Sequence, residues 1–269
     1  MGRITDLLCR FVSRLVMRPS RFSKAIIAIS NSPAHSRFCE QVYGVDLCQM
    51  NMMDTEQIKK LLDVLALSGG DQVLDVGCGA GFISEHIAHT TGAHVIGLDS
   101  AKRAIQVAQK RVATIGNLSF VTGDMNALEF PARHFDAVIC IDTLYFVKDL
   151  ESAILRLEQI LKPGGRMGIF YSGKVVDEKA AADDPPGMTK LAKLLDKHGF
   201  RWESWGFTEN ELAVWRKTLS VAEDLRDQFL EEGNESLYAS RIFESRQELK
   251  RHAEGTILRH LYRVTPRER

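Results

Sequence analysis

The sequence predicts an α/β fold built on a mostly parallel, seven-stranded sheet with helices on both faces. Three observations support this prediction. Short apolar runs alternate with longer amphipathic segments between residues 72 and 171, a glycine-rich turn follows the first run, and acidic residues follow several others. Such alternation is typical of a parallel sheet that is covered on both sides. Helical segments outside this region add an N-terminal cap and an insertion before the last strand.

The first five strands and the helices between them follow from local signals. The strands are predicted at residues 72–76, 94–99, 119–122, 135–141 and 166–171, and the helices near residues 82–90, 101–114 and 150–161. Upstream, Asp54 and Gln57 form the pattern of a capping box, and apolar residues then recur at helical spacing. Gly69-Gly70 is predicted to end this helix.

The C-terminal part of the chain predicts more helix than strand. A helix is predicted at 188–198, a sixth strand at 201–207, long helices at 209–230 and 235–254, and a last strand at 261–264. Apolar side chains in the first long helix recur every three or four positions. Residues 173–187 contain Asp-Asp-Pro-Pro-Gly and predict an irregular loop.

These elements divide the chain into four parts. We predict an N-terminal helix and cap at 1–53, a ligand-binding core at 54–207, a helical lid at 208–254, and the last strand of the core at 255–269. We define "cap" and "lid" by these ranges.

Composition limits the class of protein. The 269 residues are 45% hydrophobic and 26% charged, and 35 Lys and Arg balance 35 Asp and Glu. This is an ordinary globular composition, and a neutral chain argues against a nucleic-acid partner. The five cysteines include no C-x-x-C pair. We therefore expect a reducing compartment, the cytoplasm, and no metal site.

Residues 1–24 form a basic amphipathic pattern. Six Arg and Lys residues stand against one acid, and apolar side chains recur at helical spacing on the other side. Such a helix docks on its own domain, a partner or an anionic membrane surface, or serves as a transit segment, and the sequence leaves these alternatives open. The chain has no apolar run of the roughly 18 residues that a membrane-spanning helix needs.

The sharpest local signal is the segment Asp75-Val76-Gly77-Cys78-Gly79-Ala80-Gly81. It places a tight glycine turn between a strand and a helix. Glycine is needed where the backbone turns sharply or a ligand approaches it closely. The spacing G-x-G-x-G differs from the G-x-G-x-x-G of dinucleotide sites, and the carboxylate of Asp75 suits a cationic ligand better than a phosphate.

Further segments extend this signal in a fixed order. They are Val-Ile-Gly-Leu-Asp at 95–99, Val-Thr-Gly-Asp-Met at 121–125, Phe-Asp-Ala-Val-Ile-Cys-Ile-Asp at 135–142 and Leu-Lys-Pro-Gly-Gly-Arg at 161–166. Over about residues 70–171 the chain thereby resembles the class I S-adenosylmethionine-dependent methyltransferases. The resemblance implies a Rossmann-like fold, methyl transfer, and S-adenosylmethionine as the cofactor.

The resemblance also implies which residues bind this cofactor. Asp99 would hold the ribose hydroxyls, Asp124 the adenine amino group, and the backbone of Met125 the adenine ring. Tyr43 and Gln49 would close over the cofactor. The other predicted cofactor-binding residues are Asp75, Gly77, Cys78, Gly79, Gly81, Ser100 and Cys140.

The acceptor is predicted to be a small molecule. The Asn/Asp-Pro-Pro-aromatic motif of nucleic-acid members is absent after residue 141, and the two helical additions are typical of small-molecule members. Asp142 and Tyr145 are the catalytic candidates, and the predicted acceptor-binding residues are Tyr171, Tyr238 and Arg241. A protein or RNA acceptor, and a non-catalytic scaffold that binds the cofactor, remain alternatives. The sequence predicts no oligomeric state.

Overall fold

The computed structural model describes residues 19–174 and 189–267, with side-chain detail for all of them except residues 19–24 and 174. Two expectations therefore lie wholly or largely outside the described residues. These are the amphipathic helix at residues 1–24 and most of the irregular loop at 173–187.

Seven strands form one sheet in the order β3-β2-β1-β4-β5-β7-β6. The strands are β1 (Gln72–Val76), β2 (His94–Asp99), β3 (Leu118–Thr122), β4 (Phe135–Ile141), β5 (Leu161–Lys174), β6 (Arg201–Gly206) and β7 (Ile257–Thr265). The strands β1 to β5 pair in parallel, whereas β7 runs antiparallel to both β5 and β6. This confirms the predicted mostly parallel sheet.

The central strands β1 and β4 are buried along almost their whole length. This burial explains why their sequences are continuous apolar runs rather than alternating ones. The strand order reverses between β1 and β4, because β2 and β3 lie on one side and β5 on the other. Open α/β sheets bind ligands at such a switch point, beyond the carboxyl ends of the strands.

Helices precede, connect and follow the strands. They are α1 (Pro19–Ser30), α2 (Pro33–Tyr43), α3 (Thr55–Leu65), α4 (Phe82–Thr91), α5 (Lys102–Arg111), α6 (Leu150–Ile160), α7 (Lys190–Lys197), α8 (Thr208–Asp224), α9 (Arg226–Glu231) and α10 (Glu235–Ala253), with a short 3₁₀ turn at Leu144–Phe146. Asp54 accepts a hydrogen bond from the backbone N–H of Gln57, which confirms the predicted start of α3.

Several predicted boundaries were wrong. The helix α3 ends at Leu65, since Ala66 adopts a left-handed conformation there, and it does not run to Gly69-Gly70. The single helix predicted at 209–230 is two helices that meet at Leu225. Strands β5 and β7 are longer than predicted because they pair antiparallel from Met167↔Val264 to Lys174↔Ile257. Gly173 therefore lies in a strand.

Three apolar clusters hold these layers together. One cluster lies on each face of the sheet. The third joins the cap to the lid, with Phe38 and Tyr43 of α2 packed against Trp215 of α8 and Phe229 of α9. The same cluster includes Ala80 of the glycine turn. The two helical additions are thus one layer, and this layer covers the glycine turn.

A carboxylate from the lid fixes the start of α2 in the cap. Glu232 Oε1 accepts a hydrogen bond from the backbone N–H of Ala34 at 2.7 Å, and Oε2 accepts one from the Ser32 hydroxyl. A negative charge is favourable at the N-terminus of a helix, where backbone N–H groups have no partner in the helix. Glu232 therefore couples the lid to the cap.

We predict that Glu232→Ala lowers the free energy of unfolding by about 2 kcal/mol, the usual contribution of a hydrogen bond to a charged group. The exposed neighbour Glu231 provides the matched control, Glu231→Ala. Chemical denaturation of both variants measures the difference. Equal stabilities would contradict the coupling of lid and cap through Glu232.

Candidate cofactor and acceptor site

The glycine turn folds back onto the carboxyl end of β2. The backbone N–H groups of Gly77 and Cys78 both donate to the carbonyl of Leu98, at 2.7 and 3.1 Å. Parallel pairing places Val76 opposite Leu98 and Cys140. The ends of β1, β2 and β4 therefore lie at one edge of the sheet, where the resemblance places the cofactor.

Two glycines of the turn have no room for a side chain. Gly77 has a φ of 79°, and a Cβ atom there would lie 2.3 Å from Thr143 Cγ2. Gly81 has a φ of 76°, and its Cβ would lie 2.2 Å from the ring of Phe120. Positive φ angles and close neighbours both require glycine. The turn is consequently packed between the loop after β4 and the third strand.

Asp99 lies directly beside the glycine turn and is only 9% exposed. One carboxylate oxygen accepts from the backbone N–H of Gly79 at 2.9 Å, and the other accepts from Ala101 at 2.7 Å. Burial raises the pKa of Asp99, although these N–H groups act in the opposite direction. Each oxygen keeps a further acceptor position, so the carboxylate can still accept hydrogen bonds from two hydroxyl groups.

Asp75 is a second buried carboxylate at this edge, with 3% exposure. It accepts a hydrogen bond from the Ser84 hydroxyl at 2.5 Å. Burial raises the pKa of Asp75 from 3.8 to about 6, and the nearby Asp99 adds to this increase. A buried carboxylate with one hydroxyl partner favours a cationic group.

The remaining core residues of the predicted cofactor site differ in exposure. Asp124 is exposed, and its Oδ1 accepts from the backbone and side-chain nitrogens of Asn126 at 2.8 and 2.7 Å, which lower its pKa. Met125 is half-buried and Ser100 is exposed. Cys78 is half-buried and Cys140 fully buried, and burial raises the pKa of both thiols.

The predicted site residues from the cap and lid lie in the apolar cluster between them. Tyr43 is fully buried and half-buried Tyr238 packs against the same cluster. The Gln49 side chain forms hydrogen bonds with the backbone of the cap itself, and the backbone carbonyl of Gln49 accepts from the buried Arg241 at 2.9 Å. These contacts join cap and lid. A direct role in binding cofactor or acceptor stays a prediction for these four residues.

A cysteine and a histidine also meet in the cap. Cys39 Sγ lies 3.3 Å from His35 Nε2. Burial lowers the pKa of His35 to about 3 and raises that of Cys39 to about 12. A nucleophilic pair needs a thiolate, whereas both of these groups are neutral near pH 7. The pair therefore belongs to the packing of the cap.

The catalytic candidates lie together at the carboxyl end of β4. Asp142 has a φ of 54°, and its carboxylate is held at both oxygens by Arg259 of β7, at 2.6 and 3.0 Å. The Tyr145 hydroxyl donates to Asp142 at 3.1 Å and accepts from the backbone N–H of Ser172 at 2.5 Å. The rings of Tyr145 and Tyr171 lie 5.1 Å apart. We call this group the acceptor mouth.

Sequence reasoning missed Arg259, Ser172 and Glu211 in this region. Arg259 also donates to Ser172 at 3.0 Å, and Ser172 donates to Glu211 of α8 at 2.8 Å. No local signal identified Arg259, because the last strand was predicted only from residue 261 and β7 also carries His260 and Arg263. The identity of its partner could not be found from sequence, since Asp142 lies far away in the chain.

Comparison with known proteins identifies the family that this chain resembles. A family model described as a methyltransferase domain matches residues 73–165. The demethylmenaquinone methyltransferase of Tropheryma whipplei is 32% identical over 186 residues, which cover 57% of this chain and 76% of that protein. The sterol 24-C-methyltransferase of Aspergillus fumigatus is 37% identical over 109 residues, 39% of this chain. The chain spans only 29% of the length of this sterol enzyme.

Solved structures share the fold. The phosphoethanolamine N-methyltransferase 2 of Haemonchus contortus, solved in complex with S-adenosyl-L-methionine, superposes with a TM-score of 0.76. It is 19% identical, and the match covers 95% of this chain and 60% of that one.

The raised pKa of Asp75 gives a prediction for stability. Folding strengthens proton binding by this carboxyl, so its contribution to stability is present below pH 4 and is lost as the pH rises through about 6. Asp75→Asn stays neutral at every pH. We predict that this variant is more stable than the wild type at pH 7.5, by on the order of 2–3 kcal/mol, and that the gain shrinks toward pH 5.

Chemical denaturation of the ligand-free protein between pH 5 and 8 measures this gain. The exposed Asp63 gives the control variant Asp63→Asn, which makes the same substitution at a carboxylate that is not buried. A gain for Asp75→Asn that does not vary with pH would contradict the burial of a charged Asp75.

Proposed function

Because the chain belongs to the S-adenosylmethionine-dependent methyltransferases, as its ordered motifs predict, we propose that it transfers the methyl group of S-adenosylmethionine to a small-molecule acceptor. The observation that carries this proposal is the pair of buried carboxylates, Asp75 and Asp99, beside a glycine turn in which Gly77 and Gly81 have no room for side chains. A cofactor with hydroxyl groups and a positive charge satisfies both carboxylates.

The residues at this edge fit the cofactor of the family. Asp99 has acceptor positions for the two ribose hydroxyls in addition to its bonds to Gly79 and Ala101. Asp75 supplies the negative charge that a cationic amino group requires. Exposed Asp124 and half-buried Met125 provide a carboxylate and a backbone N–H for the adenine. S-adenosylmethionine supplies a methyl group that its sulfonium already activates.

The chain's own contribution to the reaction is then positioning and the exclusion of water. The layer of cap and lid covers the glycine turn and would shield the cofactor from solvent. The rings of Tyr145 and Phe146 are 41% and 43% exposed, so they offer an apolar surface to an acceptor at the end of β4. Tyr171 extends this surface.

We propose a positioning role for Asp142 and Tyr145 rather than proton abstraction. Both oxygens of Asp142 are held by Arg259, so the carboxylate is already engaged within the chain and is not free to take a proton from an acceptor. Burial of the hydroxyl and the neighbouring Asp142 raise the pKa of Tyr145 well above its ordinary value. Tyr145 therefore acts as a neutral hydrogen-bonding group. An acceptor that needs no strong base at attack fits these two residues.

We also propose a cellular compartment for the protein, from the state of its cysteines. Cys39, Cys48, Cys78 and Cys140 are free thiols, which supports the cytoplasm as a reducing compartment. Within the described parts of the chain, no helix is both long and apolar enough to cross a membrane. Contact of residues 1–24 with an anionic membrane or a partner stays a prediction, as does the absence of a nucleic-acid partner.

The proposed cofactor site predicts the effect of removing Asp99. We expect Asp99→Ala to weaken the binding of S-adenosylmethionine and S-adenosylhomocysteine by at least about tenfold, since a buried charged acceptor is lost. Isothermal titration calorimetry with both compounds measures the affinities, and Asp63→Ala serves as the control with an exposed aspartate.

NAD is the control ligand, and no binding of it is expected. Near-normal affinity in a folded Asp99→Ala variant would contradict the assignment of Asp99. Failure of the folded wild type to bind either sulfur compound would overturn the proposed function.

A further inference from the structure

Arg259 is the most enclosed charged group that the structure describes. Its side chain is 0% exposed, and its guanidinium lies 5.0 Å from the ring of Phe170. Burial alone would lower the pKa of Arg259, but the carboxylates of Asp142 and Glu211 raise it well above its ordinary value. The cation is thus stable only because its surroundings are anionic.

The guanidinium joins parts of the chain that are far apart in sequence. It donates through Nε to Gln57 of α3 at 2.9 Å and through both Nη atoms to Asp142 after β4. It also donates to Ser172 of β5, and Glu211 of α8 lies 3.6 Å away. A planar guanidinium makes such bonds in fixed directions. Arg259 therefore sets the relative positions of the sheet, α3 and the lid.

The bonds of Asp142 carry this constraint to the acceptor mouth and the cap. Asp142 accepts from the Tyr145 hydroxyl, as described above, and from the backbone N–H of Met52 at 3.3 Å. Gln57 reinforces the second contact, because its side-chain nitrogen donates to the carbonyl of Met52 at 2.8 Å. A shift of Arg259 would move Tyr145 and Met52 together.

The residue after Asp142 carries the constraint to the glycine turn. Asp142 has a positive φ of 54°, an angle that aspartate adopts less often than glycine, and the bonds to Arg259 and Met52 hold it there. The next residue, Thr143, lies so close to Gly77 that no Cβ atom would fit between them. The ion pair thus fixes the loop that touches the proposed cofactor site.

We infer that Arg259 is a positioning residue for methyl transfer, which holds the acceptor mouth and the glycine turn in one fixed arrangement through Asp142. The inference rests on the proposed function. The methyl group of a bound cofactor lies in a defined environment only while this ion pair is intact. In-line transfer is sensitive to displacements of about 1 Å.

The test uses S-adenosylmethionine labelled with ¹³C in its methyl group, so that no acceptor is needed. The ¹H–¹³C correlation spectrum of the bound methyl group is compared for the wild type and Arg259→Lys. The ammonium group keeps the charge but cannot hold both oxygens of Asp142. We expect the variant to bind S-adenosylmethionine within about threefold of the wild type while the methyl resonance shifts or splits.

Arg263→Lys is the matched control, because Arg263 lies on the same strand and makes an ion pair with the exposed Glu203 at 3.1 Å. Its methyl resonance should coincide with that of the wild type. If Arg259→Lys does not fold, the nearly isosteric Asp142→Asn provides the same reading, since it removes the negative charge from the pair.

The outcomes separate this inference from the proposed function. A wild type that binds no S-adenosylmethionine overturns the proposed function and this inference with it. A wild type that binds, together with an unchanged methyl resonance in the folded Arg259→Lys or Asp142→Asn variant, overturns this inference alone. A purely structural role for Arg259 would lower the melting temperature without moving the resonance.

Discussion

The burial of the Arg259 guanidinium is the constraint on which much of this structure depends. A buried charge is costly unless it is paired and its hydrogen-bonding groups are satisfied. Gln57, Asp142 and Ser172 meet this requirement from α3, the end of β4 and β5. Strand β7, which lies between β5 and β6, is therefore fastened to the central strand β4 and to α3. The same contacts place the cap and the lid over the carboxyl edge, where parallel strands present their ligand-binding loops.

At the proposed cofactor site, by contrast, the buried carboxylates have no charged partner among the described residues that would compensate their negative charge. Asp75 has a single described side-chain partner, the Ser84 hydroxyl, and Asp99 is held only by backbone N–H groups. Sites that bind a ligand commonly retain such groups at a cost in stability. Hydrogen bonds within the chain hold both Arg259 and Asp142, whereas the carboxylates beside the glycine turn keep acceptor positions that the proposed cofactor would fill.

The sequence predicted the parallel core well, because short apolar runs bounded by glycine fix β1, β2 and β4 locally. The ordered motifs likewise located Asp75 in β1 and Asp99 at the end of β2, and their role in cofactor binding stays a prediction. Features that depend on distant residues were not predicted. Strand β7 extends to Ile257 because β5 pairs with it, and α3 ends at Ala66 although Gly69-Gly70 follows. The ion pair between Asp142 and Arg259 joins residues that are 117 positions apart in the sequence, and no local pattern specifies it.

A crystal structure of the full chain in complex with S-adenosylhomocysteine tests the central claim most directly. The account predicts that the ribose hydroxyls lie within hydrogen-bond distance of Asp99. It also predicts that the amino group of the ligand approaches Asp75 and that the sulfur lies beside the glycine turn, facing the acceptor mouth. Clear density for the ligand at another surface, and none between Asp75 and Asp99 at a saturating ligand concentration, would contradict the account.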